Sequence, residues 1–158
     1  MNKLTPRLQL LSDLVIGDSA ADIGTDHGFL AMNLYRSGKC KKLIMTDVKP
    51  GPLEKCKGNL LKKGLSDEMT DIRLGDGLTP LKNGEVDSVV IAGMGGETIR
   101  DILAFDLDKT KSFKRIILQP RTHDDRLRLW LDSVNIKISE EYKVLEKGRE
   151  CLVLVINN

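Results

Sequence analysis

The sequence is poor in the residues on which several common chemistries depend. Its three cysteines, Cys40, Cys56 and Cys151, form no CxxC pair. An odd, scattered set builds neither a secreted disulfide framework nor a thiolate zinc site. His27 and His123 are the only histidines, so an imidazole-rich metal site is equally hard to assemble and no metal is expected. Aromatic residues make up 4% of the chain, which leaves few platforms for stacking bases. No apolar run approaches the ~18 residues that a membrane span needs, and the start at Met1-Asn2-Lys3-Leu4 has no signal core. A basic tail and an acidic block are also missing. The 25 Lys and Arg against 23 Asp and Glu leave a net charge of +2, spread as 12 basic and 10 acidic residues in 1–79 and 13 of each beyond. These absences exclude a nucleic-acid wrapper driven by bulk charge and point to a reducing, cytoplasmic setting with no membrane partner. The oligomeric state is not readable, and a monomer is the default.

What is present is an alternation of strand and helix patterns. At 158 residues the expectation is one domain over 1–158. Thr5-Pro6 reads as a helix start, followed by Leu8, Leu11, Leu14 and Val15 at helical spacing. Strands are expected at 19–23, 42–46, 71–74, 88–92 and 115–118, with helices at 29–36, from a Lys49-Pro50-Gly51-Pro52 turn up to Lys63, after Gly96 through Leu103, and around 127–131. The last residues read as a hairpin, 136–145 and 150–156, about a Lys147-Gly148 turn. Repeated strand–helix units imply a mostly parallel α/β sheet with right-handed crossovers and helices on both faces, to which the hairpin adds an antiparallel edge.

In such a sheet ligands bind outside the carboxyl ends of the strands, and here those ends carry a non-random set. The first offers Asp22, Gly24, Asp26 and Gly28, the second Asp47, the third Asp76 and Gly77, and the fourth the Gly93-Met94-Gly95-Gly96 loop. Asp47 lies 23 residues after Gly24, near the spacing at which an acid meets a nucleoside ribose. Asp76 is suited to accept from an adenine amino group. A nicotinamide dinucleotide fits poorly, because Asp26 stands where its fingerprint needs a glycine and would repel pyrophosphate. S-adenosylmethionine has no phosphate and carries a sulfonium, so the acids favour it. Each residue also has a plainer reading: Asp26 or Asp47 as a helix cap, Asp76 as a turn residue.

Ala21-Asp22-Ile23-Gly24-Thr25-Asp26-His27-Gly28, Gly75-Asp76-Gly77-Leu78, Ile91-Ala92-Gly93-Met94-Gly95-Gly96 and Ile117-Leu118-Gln119-Pro120 together resemble the bacterial tRNA (adenine-22-N1)-methyltransferase family, over nearly the whole chain. The resemblance implies a Rossmann-like class I methyltransferase fold with a seven-stranded sheet. It also implies S-adenosylmethionine as cofactor and N1 of an adenine in the D-arm region of tRNA as target. On this reading Asp22, Gly24, Gly28, Asp47, Asp76, Gly77 and Gly93 hold the cofactor, and Asp26 and His27 are catalytic. Met94, Gly95, Gln119 and Pro120 face the target base, and Arg7, Arg121 and Arg126 meet RNA phosphates, with Lys49 and Arg128 as further candidates. The sequence departs from the family in one respect. It ends at Asn158, directly after the last strand, where the family continues into a helical extension. The competing readings are a small-molecule methyltransferase and a non-catalytic cofactor- or RNA-binding module.

Overall fold

The computed structural model describes residues 4–25, 28–65 and 70–158. Its centre is a seven-stranded sheet. β1 (Ser19–Ile23), β2 (Lys42–Asp47), β3 (Thr70–Leu74), β4 (Ser88–Met94) and β5 (Arg115–Pro120) run parallel. β6 (Glu140–Glu146) and β7 (Arg149–Asn157) close it as a hairpin, with β7 antiparallel to β5. The spatial order is β3-β2-β1-β4-β5-β7-β6. Because β1 is followed on one side by β2 and flanked on the other by β4, the switch point falls between β1 and β4.

Strict alternation along the central strands produces two cores. Val90, Ile117, Val153 and Val155 face one side, with α1 (Pro6–Leu14), α2 (Phe29–Arg36) and α3 (Pro50–Lys62) supplying Leu11, Leu34, Cys56 and Leu60. Val89, Ile91, Ile116, Leu118, Leu154 and Ile156 face the other, against Ile99, Leu103, Leu127 and Leu131 of α4 (Gly96–Phe105) and α6 (Asp124–Ser133). A one-residue slip in any of these strands would exchange its two faces, so burial sets the register.

Local chemistry accounts for the helix starts. Thr5 Oγ1 accepts the Leu8 N–H at 3.3 Å, and Pro6 occupies the first turn of α1, where its missing N–H costs nothing. Asp106 Oδ1 accepts the Lys109 N–H at 3.0 Å and so starts α5 (Leu107–Lys111), a five-residue helix that the sequence reading lacks. Two further differences stand out. β4 runs past residue 92 through a bulge at Gly93 to Met94. The crossover from β3 to β4, residues 75–87, contains turns and no helix, so the strand–helix alternation is broken there.

That crossover is held by charge as well as by burial of Leu78, Leu81 and Val86. Arg73 on β3 donates from Nη1 and Nη2 to Glu85 Oε1 and Oε2 at 2.9 and 2.6 Å, and from Nη2 to Asp71 at 2.7 Å. Glu85 also accepts the Lys82 N–H at 2.9 Å. The Arg73 bonds, acting against burial, pull the Glu85 carboxyl down to about 2.

Candidate active site

A cleft of about 850 Å³ opens at the carboxyl ends of the parallel strands, across the switch point. Asp22, Gly24, Asp47, Asp76, Gly77, Gly93, Met94, Gln119, Arg7 and Arg121 line it. Ten of the proposed site residues, drawn from six elements or their connecting turns, are thereby brought together. Asp26 and His27 lie outside the described residues.

The first turn is tied to β2. The Gly24 and Thr25 N–H groups both donate to the Thr46 carbonyl, at 2.9 and 3.0 Å. Thr25 Oγ1 donates to Asp22 Oδ2 at 3.1 Å, which fixes that carboxylate to the loop. Gly24 has φ +73, and a Cβ there would meet Met94 Cε at 2.5 Å. The turn from β1 therefore packs directly on the bulged end of β4. Gly28, also at positive φ, lies beneath the turn against Cys56 Sγ and does not line the cleft. Burial pushes the Cys56 thiol up to about 11, so it remains protonated. Asp47 Oδ1 accepts the Lys49 N–H at 3.1 Å, an Asx turn that aims the chain into α3.

Gln119 is 3% exposed and central. Its Oε1 accepts the Gly93 N–H at 3.0 Å and Arg7 Nη1 at 3.3 Å, which pins the bulge of β4. Arg7 in turn reaches Glu146 at the end of β6, Nε to Oε2 at 3.3 Å, and its backbone N–H donates to Oε1 at 3.2 Å. Burial opposes ionisation of Glu146, but bonds from Thr5 and Arg7 outweigh it and its carboxyl sits below the usual range. Arg7 is thus committed inside the protein.

The remaining described candidates are not among the residues that line the cleft. Gly95 and Gly96 serve backbone packing: Gly96 N–H donates to the Thr122 carbonyl at 2.7 Å, and a Cβ on Gly96 would fall 2.2 Å from the His123 carbonyl oxygen. Pro120 is buried at the end of β5. Arg126 forms an ion pair with Glu97 between α6 and α4, and Arg128 pairs with Asp124 and Glu141. Lys49 stands at the start of α3 and is not among the lining residues. Conversely, Lys147 and Arg149 of the hairpin line the cleft, as do Phe29 and Val48, and the sequence reading has none of the four. Phe29 and Val48 directly follow the first turn and Asp47, which is the signal that marks them as rim residues.

Charge is segregated along the sheet. Among the described residues, the charged side chains of the cleft are Asp22, Asp47, Asp76 and Glu146 against Arg7, Arg121, Lys147 and Arg149. Once Arg7 and Glu146 cancel, three acids stand on β1–β3 and three cations on the β5–β7 side. The described residues contain no His/Cys/Asp/Glu cluster suited to a metal and no helix long and apolar enough to cross a membrane.

A seven-stranded sheet in this order, with its cleft at the β1/β4 switch and an acid at the end of each of the first three strands, defines a Rossmann-like methyltransferase domain. A family model described as "Methyltransferase domain" matches residues 4–154. The chain is 35% identical over 155 residues to the tRNA (adenine(22)-N(1))-methyltransferase of Bacillus subtilis, covering 98% of this chain and 64% of that protein, so it spans under two-thirds of that relative's length. A Streptococcus pneumoniae protein solved with S-adenosyl-L-methionine superposes with a TM-score of 0.92 at 33% identity, covering 98% of this chain and 73% of that one. TrmK of M. capricolum, solved with S-adenosyl-homocysteine, gives 0.86 and 33%, covering 98% and 68%. The chain belongs to the methyltransferase-domain family and, within it, to the tRNA (adenine-22-N1)-methyltransferase family.

Proposed function

We propose that the chain is the catalytic domain of an S-adenosylmethionine-dependent enzyme that methylates N1 of adenine 22 in the D-arm region of tRNA. The observation that carries this reading is the segregation of charge in the cleft: an acidic half for a cationic methyl donor and a basic half for a polyanion. The relatives with S-adenosyl-L-methionine and S-adenosyl-homocysteine bound support the choice of cofactor. The donor set fits it, because three carboxylates favour a sulfonium and would repel the pyrophosphate of a dinucleotide.

When bound, S-adenosylmethionine supplies a methyl group activated by a positive sulfur. Asp47 accepts from the ribose hydroxyls and Asp76 from the adenine amino group, while Gly24, Gly77 and Gly93 allow close backbone approach. Met94 gives an adaptable apolar contact to the target base. Gln119 has Oε1 already occupied and directs one Nε2 hydrogen at the Pro120 carbonyl at 3.5 Å, which leaves the other N–H for an acceptor on that base. Adenine N1 carries a free lone pair, so no residue has to remove a proton before attack. Positive charge then develops on the target ring, and a carboxylate beside it favours the transition state. Asp26, set between Gly24 and Gly28 in the sequence, takes that role, with His27 next to it. Because N1 is hidden in stacked or paired adenine, the base must be splayed out. We read residues 1–158 as one domain that works in the cytoplasm.

The test is incubation of total tRNA with labelled methyl donor, followed by mapping of the modified nucleoside. The expected product is N1-methyladenosine. Label on N6, or on no RNA, overturns the reading.

A further inference from the structure

We propose that the β6–β7 turn is a phosphate clamp: Lys147 and Arg149, together with Arg121 at the end of β5, hold the RNA backbone beside the target nucleotide. This rests on the tRNA reading above and adds to it the residues and the direction from which the strand enters.

Three observations converge. The first is topological. β7 is antiparallel to β5, so the turn that precedes it returns to the carboxyl ends of the parallel strands, and Lys147 and Arg149 line the same cleft as Asp22 and Asp47. The second is the state of the charges. Six of the nine arginines are ion-paired with carboxylates: Arg7, Arg73, Arg100, Arg115, Arg126 and Arg128. Among the described residues, Arg121, Lys147 and Arg149 have no acidic partner, although Glu146 and Glu150 flank the latter two in sequence. Those carboxylates are engaged elsewhere, Glu146 with Arg7 and Glu150 with Lys143 at 3.4 Å. The cations are therefore left facing the cleft with their charge uncompensated.

The third observation is that the turn is braced. Lys147 and Gly148 have φ +50 and +76, a two-residue turn of the primed type that suits a twisted hairpin. The Glu146–Arg7–Gln119 chain fastens its base to α1 and β5. A cation pair on a tethered turn loses less freedom on binding than one on a loose loop. Guanidinium and ammonium groups around a cleft whose far half is acidic fit a phosphodiester flanking a base inserted toward the centre.

The experiment compares Lys147→Asn/Arg149→Gln with Lys111→Gln/Lys137→Gln, a pair that removes the same charge outside the cleft. Asn tolerates positive φ, so the turn is preserved. Binding of labelled tRNA is measured by anisotropy across a salt series, and binding of S-adenosyl-homocysteine by calorimetry. Loss of two phosphate contacts flattens the slope of log K against log salt by about 1.5 and weakens tRNA binding about 10- to 40-fold near 0.1 M salt. The control pair is expected to leave that slope and affinity unchanged, and both variants to bind S-adenosyl-homocysteine as the parent does. Equal loss in the two variants, or no loss in the turn variant while the parent binds and methylates tRNA, refutes the clamp alone. A parent that neither binds nor methylates tRNA refutes the functional reading, and the clamp with it.

Discussion

Glu85→Gln isolates the ion pair that secures the crossover leading to Asp76. The wild-type carboxyl is pulled from 4.5 to about 2, first by the Arg73 bonds acting against burial, with further lowering from the Lys82 N–H and Lys42. Fully expressed, that displacement is worth about 3 kcal/mol; with partial screening at a side chain 12% exposed, about 2 kcal/mol is the better figure. For a protein of this length the loss corresponds to about 4–8 °C in Tm. The sign follows from the lowered folded-state pKa. The contribution is complete above about pH 4.5 and disappears as pH falls toward 2. The gap between thermal melts of wild type and variant should therefore narrow from pH 7 to pH 3 without closing. Arg73→Met should cost more at neutral pH, since it leaves a largely buried carboxylate with only the half-exposed Lys42 ammonium at 3.4 Å as counter-charge. A Glu85→Gln protein that melts within 1–2 °C of wild type at neutral pH, or a gap between the two that does not narrow with acid, would refute the argument.

Three further outcomes are expected. Asp47→Ala weakens S-adenosyl-homocysteine binding about tenfold or more by calorimetry, the range for losing a charged hydrogen-bond acceptor. Asp26→Asn leaves that affinity nearly unchanged but slows single-turnover methyl transfer ~10²-fold; an unaltered rate removes Asp26 from the mechanism. Gly96→Ala forces a Cβ onto the His123 carbonyl, so it lowers stability by about 1–3 kcal/mol in denaturant melts while the acidic half of the cleft stays intact.

The parallel strands and the acids at their ends were legible in the sequence because both follow from short-range rules: short continuous apolar runs, and polar residues where a strand stops. The helix α5 was not, since five residues with three charges carry no helical period, and its start depends on one Asp106 side chain. The bulge at Gly93 was hidden for a similar reason: it is fixed by Gln119, 26 residues away. Arg7 and Arg126 read as free cations until their partners, Glu146 and Glu97, came beside them through folding. Lys147 and Arg149 show the converse. In the chain they are ordinary hairpin residues, and only the antiparallel register of β7 carries them to the cleft.

A molecule with a net charge of only +2 has little long-range pull on a polyanion. With opposite charges at the two ends of one groove, however, it has a strong local dipole. An approaching nucleic acid would be turned as well as drawn, so that its backbone meets one end first. Such steering is expressed in the rate of productive encounter more than in final affinity, and it fades as added salt shortens the reach of the field.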